Sequence, residues 1–251
     1  MYTSVDKTEA HEEKTGKRVL FDKPLQIIYT FRASSLQIID TFGDVLVSII
    51  LVIRQKNHMN SDAENEDEWA MWWDARLAAL ESVLGKSHDT VGHGTIPFNL
   101  GADLGGTADI VYFHNHVDGI VSVTAELIGN PDQVPNSMGN YELAICCRDD
   151  DDWGPNIIGQ LAHYTLETPL EPGQTMDIGP VTPEGSSIDA FLFCDYGRFR
   201  VRDQNAGIIM CVGVTSSELD ACRSGDRERV ESLLKSKGVF PFNDLQRTSV
   251  V

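Results

Sequence analysis

Residues 141–167 read YELAICCRDDDDWGPNIIGQLAHYTLE, and this stretch decides the fold. Residues 141–148 are apolar and β-favouring, a pattern typical of a buried strand. Pro155 suits a first helical position, because the N–H that proline lacks would have no partner there. The apolar residues around and after it recur at helical spacing, at Ile157, Ile158, Leu161, Ala162 and Leu166. The stretch predicts a strand that turns through a charged tip and returns as a helix.

The composition is strongly acidic. The 251 residues include 38 Asp and Glu against 20 Lys and Arg, a net charge of −18. A surface for nucleic acid needs clustered Lys and Arg, so this balance argues against such a partner. The longest uncharged apolar run near the start, residues 45–53, is shorter than the roughly 20 residues that span a bilayer. We therefore expect a cytoplasmic protein without a membrane segment, and the charge favours a basic partner.

The five cysteines predict buried thiols rather than disulfides. They are odd in number and lie mostly in apolar runs, at Cys146, Cys147, Cys194, Cys211 and Cys222. No CxxC pair occurs, and a reducing compartment keeps such thiols free. Cys146 and Cys147 are adjacent in a predicted strand, so their side chains should point to opposite faces of the sheet. No cofactor is expected.

The chain divides at about residue 61. Residues 1–61 form an extension unlike the rest, and residues 62–251 form the main domain. In that domain, an acidic start at residues 62–68 predicts a helix that runs to Leu84 and ends at Gly85. Its apolar stripe is Trp69, Trp72, Trp73, Leu77, Leu80 and Leu84, and we expect the tryptophans to be core residues.

The remaining pattern mixes strands and helices, which indicates the α+β class. Strands are predicted at residues 108–113, 119–127, 188–195 and 207–214, and a hairpin at 197–205. Thr215 and Glu218 form a capping box before a helix at 216–223, and a second helix follows at 226–237. In the tail, we expect Asp244 and Arg247 to pair either with the acidic turn or with each other, as a surface ion pair worth about 0–1 kcal/mol.

One motif resembles an enzyme site. His114-x-His116-x-Asp118 follows a strand, as in metallo-β-lactamase-like hydrolases, where alternate residues converge on a metal. Their motif has a histidine after the aspartate, and here that residue is Gly119. We therefore favour a surface hairpin tip at residues 114–118 over a metal-dependent hydrolase.

The acidic turn is formed by four consecutive aspartates, Asp149, Asp150, Asp151 and Asp152. It lacks the alternating oxygen ligands, central glycine and distant glutamate of a calcium loop. A solvated turn that faces a basic partner, together with Trp153, is the better interpretation.

The order of the sequence blocks resembles the Suppressor of fused domain. GNYELAICCR, Trp153, GQLAHYTLE, LEPGQTMDIG, IDAFLFCD, IIMCVGVTSSELDACRSGD and NDLQRTSVV follow one another as they do in that family. The chain resembles a bacterial member of the family from about Glu66 to Val251, most strongly from Ala108 onward.

The resemblance implies a mixed, mainly antiparallel β-sheet flanked by helices. It also implies a non-enzymatic, protein-binding function. Animal members bind zinc-finger transcription factors of the Hedgehog pathway, and bacterial relatives are often proposed to be immunity proteins that neutralise toxins. An acidic protein suits a basic toxin. Three hypotheses therefore stand: a binding module that is an immunity protein, a metal-dependent hydrolase, and a cellular adaptor.

The resemblance also implies partner-binding residues. In animal members the groove for the partner peptide uses a tyrosine from a helix and acids from nearby strands. Tyr164 corresponds to the tyrosine and Asp195 to one acid, whereas the second acidic position falls on Gln174.

Overall fold

The computed structural model describes residues 68–150 and 152–251. The predicted domain boundary at residue 61 and the acidic helix start therefore lie outside the described residues. The first described helix, α1, covers residues 68–84, and Gly85 ends it with a φ of 82°. A positive φ costs glycine little, which makes it a common residue just after a helix.

A seven-stranded sheet is the centre of the fold, with the order β1-β2-β3-β4-β7-β6-β5. The strands are Val91–Gly92, Ile110–Val117, Gly119–Thr124, Asn140–Cys147, Thr175–Asp177, Ala190–Val201 and Gln204–Val214, numbered β1 to β7. The pair β4–β7 is parallel, and every other pairing between these strands is antiparallel. The predicted α+β class and the mixed, mainly antiparallel sheet are confirmed.

Three further helices flank the sheet: α2 at Trp153–Tyr164, α3 at Ser216–Ala221 and α4 at Arg227–Ser236. The strand-turn-helix prediction for β4 and α2 is confirmed, but its details need correction. α2 begins at Trp153, so Pro155 is its third residue and not its first. Proline is tolerated there as well, because none of the first four N–H groups of a helix has an intrahelical partner. Leu166 lies beyond the helix, in the turn that follows it.

Each face of the sheet carries its own apolar core. On one face, β-strand side chains including Cys146 pack against α1, α3 and α4. On the other face, side chains including Cys147 pack against α2. The predicted opposition of these two thiols is confirmed, and four of the five cysteines are buried, Cys222 being half-buried.

The tryptophans of α1 are less buried than predicted. Trp69 is 54% exposed, so its prediction as a core residue is wrong. Its ring stacks on Trp73, with 5.6 Å between the ring centroids, and this stacking shields only one face of the indole. Trp72 and Trp73 are half-buried, and Leu80 and Leu84 complete the contact with the sheet.

The C-terminal tail fills the gap where the parallel strands separate. Pairing of β4 with β7 ends at Ala144 and Met210. Beyond that point the buried Asn243 amide donates to the carbonyls of Cys146 and Cys211 and accepts from Gly213 N–H. These bonds satisfy backbone groups that a missing strand pairing would leave unpaired.

The surface ion pair predicted for Asp244 and Arg247 is wrong. Arg247 is buried, and its guanidinium donates to both carboxylate oxygens of Glu218 and to Gly213 C=O. Glu218 also accepts from Thr215 N–H at 2.9 Å, the backbone half of the predicted capping box. Because the cap brings a carboxylate into the core, a buried cation is needed there, and Arg247 supplies it.

Candidate functional site

Tyr164 is the last residue of α2, and 44% of it is exposed. Its carbonyl accepts from the N–H groups of Glu167 and Thr168, so the chain turns directly after it. α2 packs on the sheet through Ile158 and Ala162, and this packing leaves the tyrosine at the rim of that face. An exposed aromatic ring with a polar tip is a typical contact residue at protein interfaces.

The segment after α2 enters the sheet through a tight turn at residues 171–174. Gln174 N–H donates to Glu171 C=O at 3.1 Å, with Pro172 second and Gly173 third in the turn. Gly173 has a φ of 86°, which type II turns require at that position. Gly173 N–H donates to Phe193 C=O at 2.7 Å, and Phe193 N–H donates to Gln174 C=O at 3.0 Å. This is a G1 bulge, and it starts the edge strand β5.

Glu171 is an acidic residue that sequence reasoning missed. Its carboxylate accepts from Ser137 N–H at 3.1 Å, and its own N–H donates to the Gln174 side chain at 3.0 Å. The turn thus holds an acid beside the position where Gln174 replaces one. The EPGQ sequence, a turn with proline second and glycine third, was the signal that could have placed Glu171 there.

The buried Tyr141 lies beneath this turn. Its hydroxyl oxygen accepts from Leu170 N–H at 2.7 Å. Burial raises the pKa of Tyr141 to about 12, and the nearby Glu171 and Tyr164 add to the rise. Only six residues, 165–170, separate Tyr164 from Glu171, and Tyr141 contacts the end of that segment at Leu170.

Asp195 lies on β6 and follows Phe191 and Phe193 in strand alternation, which places it on the α2 face. Its carboxylate accepts from Arg198 Nε at 2.6 Å. A register shift between Asp195 and Gly197 interrupts the pairing with β7. We call Tyr164, Glu171, Gln174 and Asp195 the candidate partner surface.

The acidic turn and Trp153 lie at the other end of α2. Twelve helical residues rise about 18 Å, so they are well separated from Tyr164. Asp149, Asp150 and Asp152 are exposed, and Asp151 lies outside the described residues. Trp153 is half-buried, and its indole N–H donates to Val181 C=O at 3.1 Å. The residues carried over by resemblance and the acidic turn therefore belong to two different surfaces.

The histidine motif lies within a strand, so the predicted hairpin tip at residues 114–118 needs correction. β2 continues to Val117, a register shift accommodates the polar residues, and Asp118 alone connects it to β3. The His116 ring is hydrogen-bonded to Tyr196 OH at 2.7 Å, while the His114 ring is tilted against that of His88, with centroids 4.6 Å apart. Burial lowers the pKa of His116, partly offset by a hydrogen bond with the Leu84 backbone.

A buried ion pair that sequence reasoning also missed joins α1 to the sheet. Arg76 lies 3.4 Å from the Glu142 carboxylate and donates to Ile128 C=O at 2.8 Å. Glu142 is fully buried and accepts from Thr124 Oγ1 at 2.6 Å and from Leu127 and Ile128 N–H. Burial raises the pKa of Glu142 to about 7, although these contacts lower it.

Within residues 68–150 and 152–251, no group of three or more His, Cys, Asp and Glu side chains is arranged to hold a metal ion. Over the same residues, every helix is too short or too polar to cross a membrane.

Comparisons with known proteins identify the fold. A SUFU homologue from Neisseria gonorrhoeae FA 1090, solved at 1.40 Å, superposes with a TM-score of 0.53 and 18% identity, covering 72% of this chain and 97% of its own. The structure of the Sufu-Fu complex superposes with a TM-score of 0.56 and 16% identity, covering 71% of this chain and 91% of its own. No curated protein matches the chain.

The family itself follows from the sequence. The family model described as Suppressor of fused protein (SUFU) matches residues 120–248, which is more than half of the chain. The matched range holds β4, α2, the turn at residues 171–174 and the tail that carries Asn243 and Arg247. This chain belongs to the Suppressor of fused family.

Proposed function

We propose that this chain is a non-enzymatic protein-binding module that takes up an extended segment of its partner along β5, beside Tyr164. The observation that carries the proposal is an exposed tyrosine at the end of α2, from which ten residues lead into the edge strand β5. β5 is last in the sheet order, and none of the described strands pairs with its outer edge. The family supports the proposal, because one structural relative is a complex of Sufu with the protein Fu.

The chemistry of the candidate partner surface suits such a segment. Unpaired N–H and C=O groups of an edge strand bind an extended peptide, and neighbouring side chains select it. Tyr164 offers apolar area and a hydroxyl, while the carboxylates of Glu171 and Asp195 favour a cation, with one oxygen of Asp195 already bound by Arg198. Glu171 compensates for the charge that is lost at Gln174. The segment that fits is therefore extended and carries a basic side chain.

We further propose that the chain acts in the cytoplasm as an immunity protein against a basic toxin. The net charge of −18 and the exposed Asp149, Asp150 and Asp152 support this role, because opposite charge speeds association. A cellular adaptor that binds another protein is the alternative. A toxin gene next to the gene for this chain favours the immunity role, and its absence favours the adaptor.

The test is a pull-down from the native host with the full chain, followed by affinity measurement. The double variant Tyr164→Ala with Asp195→Ala should bind the captured partner with about 30-fold lower affinity, as loss of an interface hot spot does. The matched control is Trp69→Ala with Asp74→Ala, an exposed aromatic and an exposed acid on α1. If the folded double variant binds as tightly as this control, the partner uses another surface and the proposal fails.

A further inference from the structure

Strand β6 is longer than the neighbour that covers its outer edge. β6 spans Ala190–Val201, but β5 pairs with it only as far as Leu192, and the bulge bonds reach Phe193. From residue 194 to Val201, no backbone of the described residues bonds to that edge. An edge of this length is a template for another strand.

Arginines mark this open edge. Arg198 and Arg200 are exposed, and they lie opposite Gly207 and Asn205 of β7. Because they are two residues apart in a strand, their side chains point to the same face of the sheet. Arg198 binds Asp195, and Arg200 Nη2 donates to Asp203 C=O at 2.9 Å. A guanidinium has five donors, so both arginines retain donors for a further carboxylate.

The local charge opposes that of the whole chain. Residues 195–203 contain three arginines and two aspartates, in a chain with 38 acidic and 20 basic residues. The third arginine, Arg202, lies over the Trp72 ring at 4.9 Å, which leaves Arg198 and Arg200 as the cations of the edge. Within the open edge itself, residues 194–201, two arginines stand against one aspartate, so the local charge is positive in an acidic protein.

We propose that the open edge of β6, from residue 194 to Val201, binds an extended acidic peptide segment whose alternate carboxylates meet Arg198 and Arg200. The planar guanidinium suits a carboxylate, which it can hold with two parallel bonds. The same edge of a second copy offers only one carboxylate, Asp195, and Arg198 already binds it. This edge adjoins the candidate partner surface, because Asp195 belongs to both, but the peptide would pair with β6 and not with β5.

A competing role for these arginines is protection. Charged residues on edge strands keep identical edges from pairing and aggregating. Protection needs only repulsion and gives no preference for an acidic segment, whereas a binding edge discriminates between acidic and basic peptides. The two roles are therefore separable by experiment.

The probe is a fluorescein-labelled nine-residue peptide in which glutamate alternates with threonine and valine, with a second peptide carrying lysine at each glutamate. Anisotropy is measured with the full chain at 0.15 M salt, where screening over about 8 Å suppresses the distant acidic surface. We expect the glutamate peptide to bind about ten-fold tighter than the lysine peptide. N-methylation of its alternate backbone nitrogens should abolish binding, because strand pairing needs those donors.

The variant Arg198→Gln with Arg200→Gln should lose this preference. The control, Arg223→Gln with Arg229→Gln, removes the same charge from exposed positions near α3 and α4 and should retain it. Circular dichroism verifies folding of both. Equal or tighter binding of the lysine peptide, or equal effects of the two variants, overturns the proposal. Self-association of the first variant with unchanged peptide preference also overturns it, and assigns the arginines to protection.

Discussion

The two faces of the sheet are built differently. The face beneath α1, α3 and α4 contains two buried ion pairs, Arg76 with Glu142 and Arg247 with Glu218. The α2 face has an apolar core, and its charged residues stay at the rim, where Asp195 and Arg198 are exposed. The contrast teaches that buried charge joins distant segments of the chain on one face, while the ion pair on the other face stays within reach of solvent.

The ion pair in the tail provides the largest test of this contrast. Arg247→Ala leaves the Glu218 carboxylate buried without its cation, so we expect the free energy of unfolding to fall by about 3–5 kcal/mol. The matched control is Arg229→Ala, which removes an exposed partner 3.7 Å from Asp226 and should cost under about 1 kcal/mol. Urea denaturation measures both, and equal losses would mean that the two pairs do not differ.

The two buried carboxylates respond to pH in opposite directions. Burial by itself raises the pKa of Glu218, but hydrogen bonds from Arg247, Thr215 and Val250 lower it, so its contribution to stability is lost as the pH falls. Burial raises the pKa of Glu142 to about 7, so stability from Glu142 is present below about pH 4.5 and lost as the pH rises through about 7.

The Glu142 effect is measurable with one variant. Between pH 5 and pH 8, the wild-type chain should lose about 2–3 kcal/mol of unfolding free energy that Glu142→Gln does not lose. The comparison uses the change with pH, because the variant is less stable at every pH. Parallel pH profiles for the two proteins would contradict the account of this buried carboxylate.

The thiols report whether both faces are sealed. Cys146 and Cys194 lie on the face with the ion pairs, and Cys147 and Cys211 lie on the α2 face. Burial raises the pKa of Cys146 and Cys194 to about 12 and also raises that of Cys211. We expect a thiol reagent at pH 8 to label at most the half-buried Cys222 in native protein, and all five after unfolding. Rapid native labelling of one face alone would show that this face opens.

Local patterns predicted the elements well. The apolar runs predicted β4, β7 and the first half of β6, and the capping box predicted the start of α3, because these signals are local in the sequence. The helix after the acidic turn was also predicted, but its start was placed at Pro155, since proline fits several positions of a first turn.

Contacts between distant segments were not predictable from those patterns. Arg247 binds a carboxylate 29 residues away, and Arg76 bonds to the Ile128 carbonyl 52 residues away. No spacing rule connects such positions, so a buried pair had the same sequence signal as a surface pair. Glu171 was missed for a related reason: resemblance aligned Gln174 with an acidic position, and only the turn brings Glu171 next to it.

The central claim is that the partner binds to the candidate partner surface and to the outer edge of β5. Its most direct test is hydrogen–deuterium exchange with and without the captured partner. We predict slower exchange of the amides at residues 164–177, with α1, α3 and α4 unchanged, because an added strand shields the edge of β5. Protection confined to α1, α3 and α4, with residues 164–177 unchanged, would contradict the account.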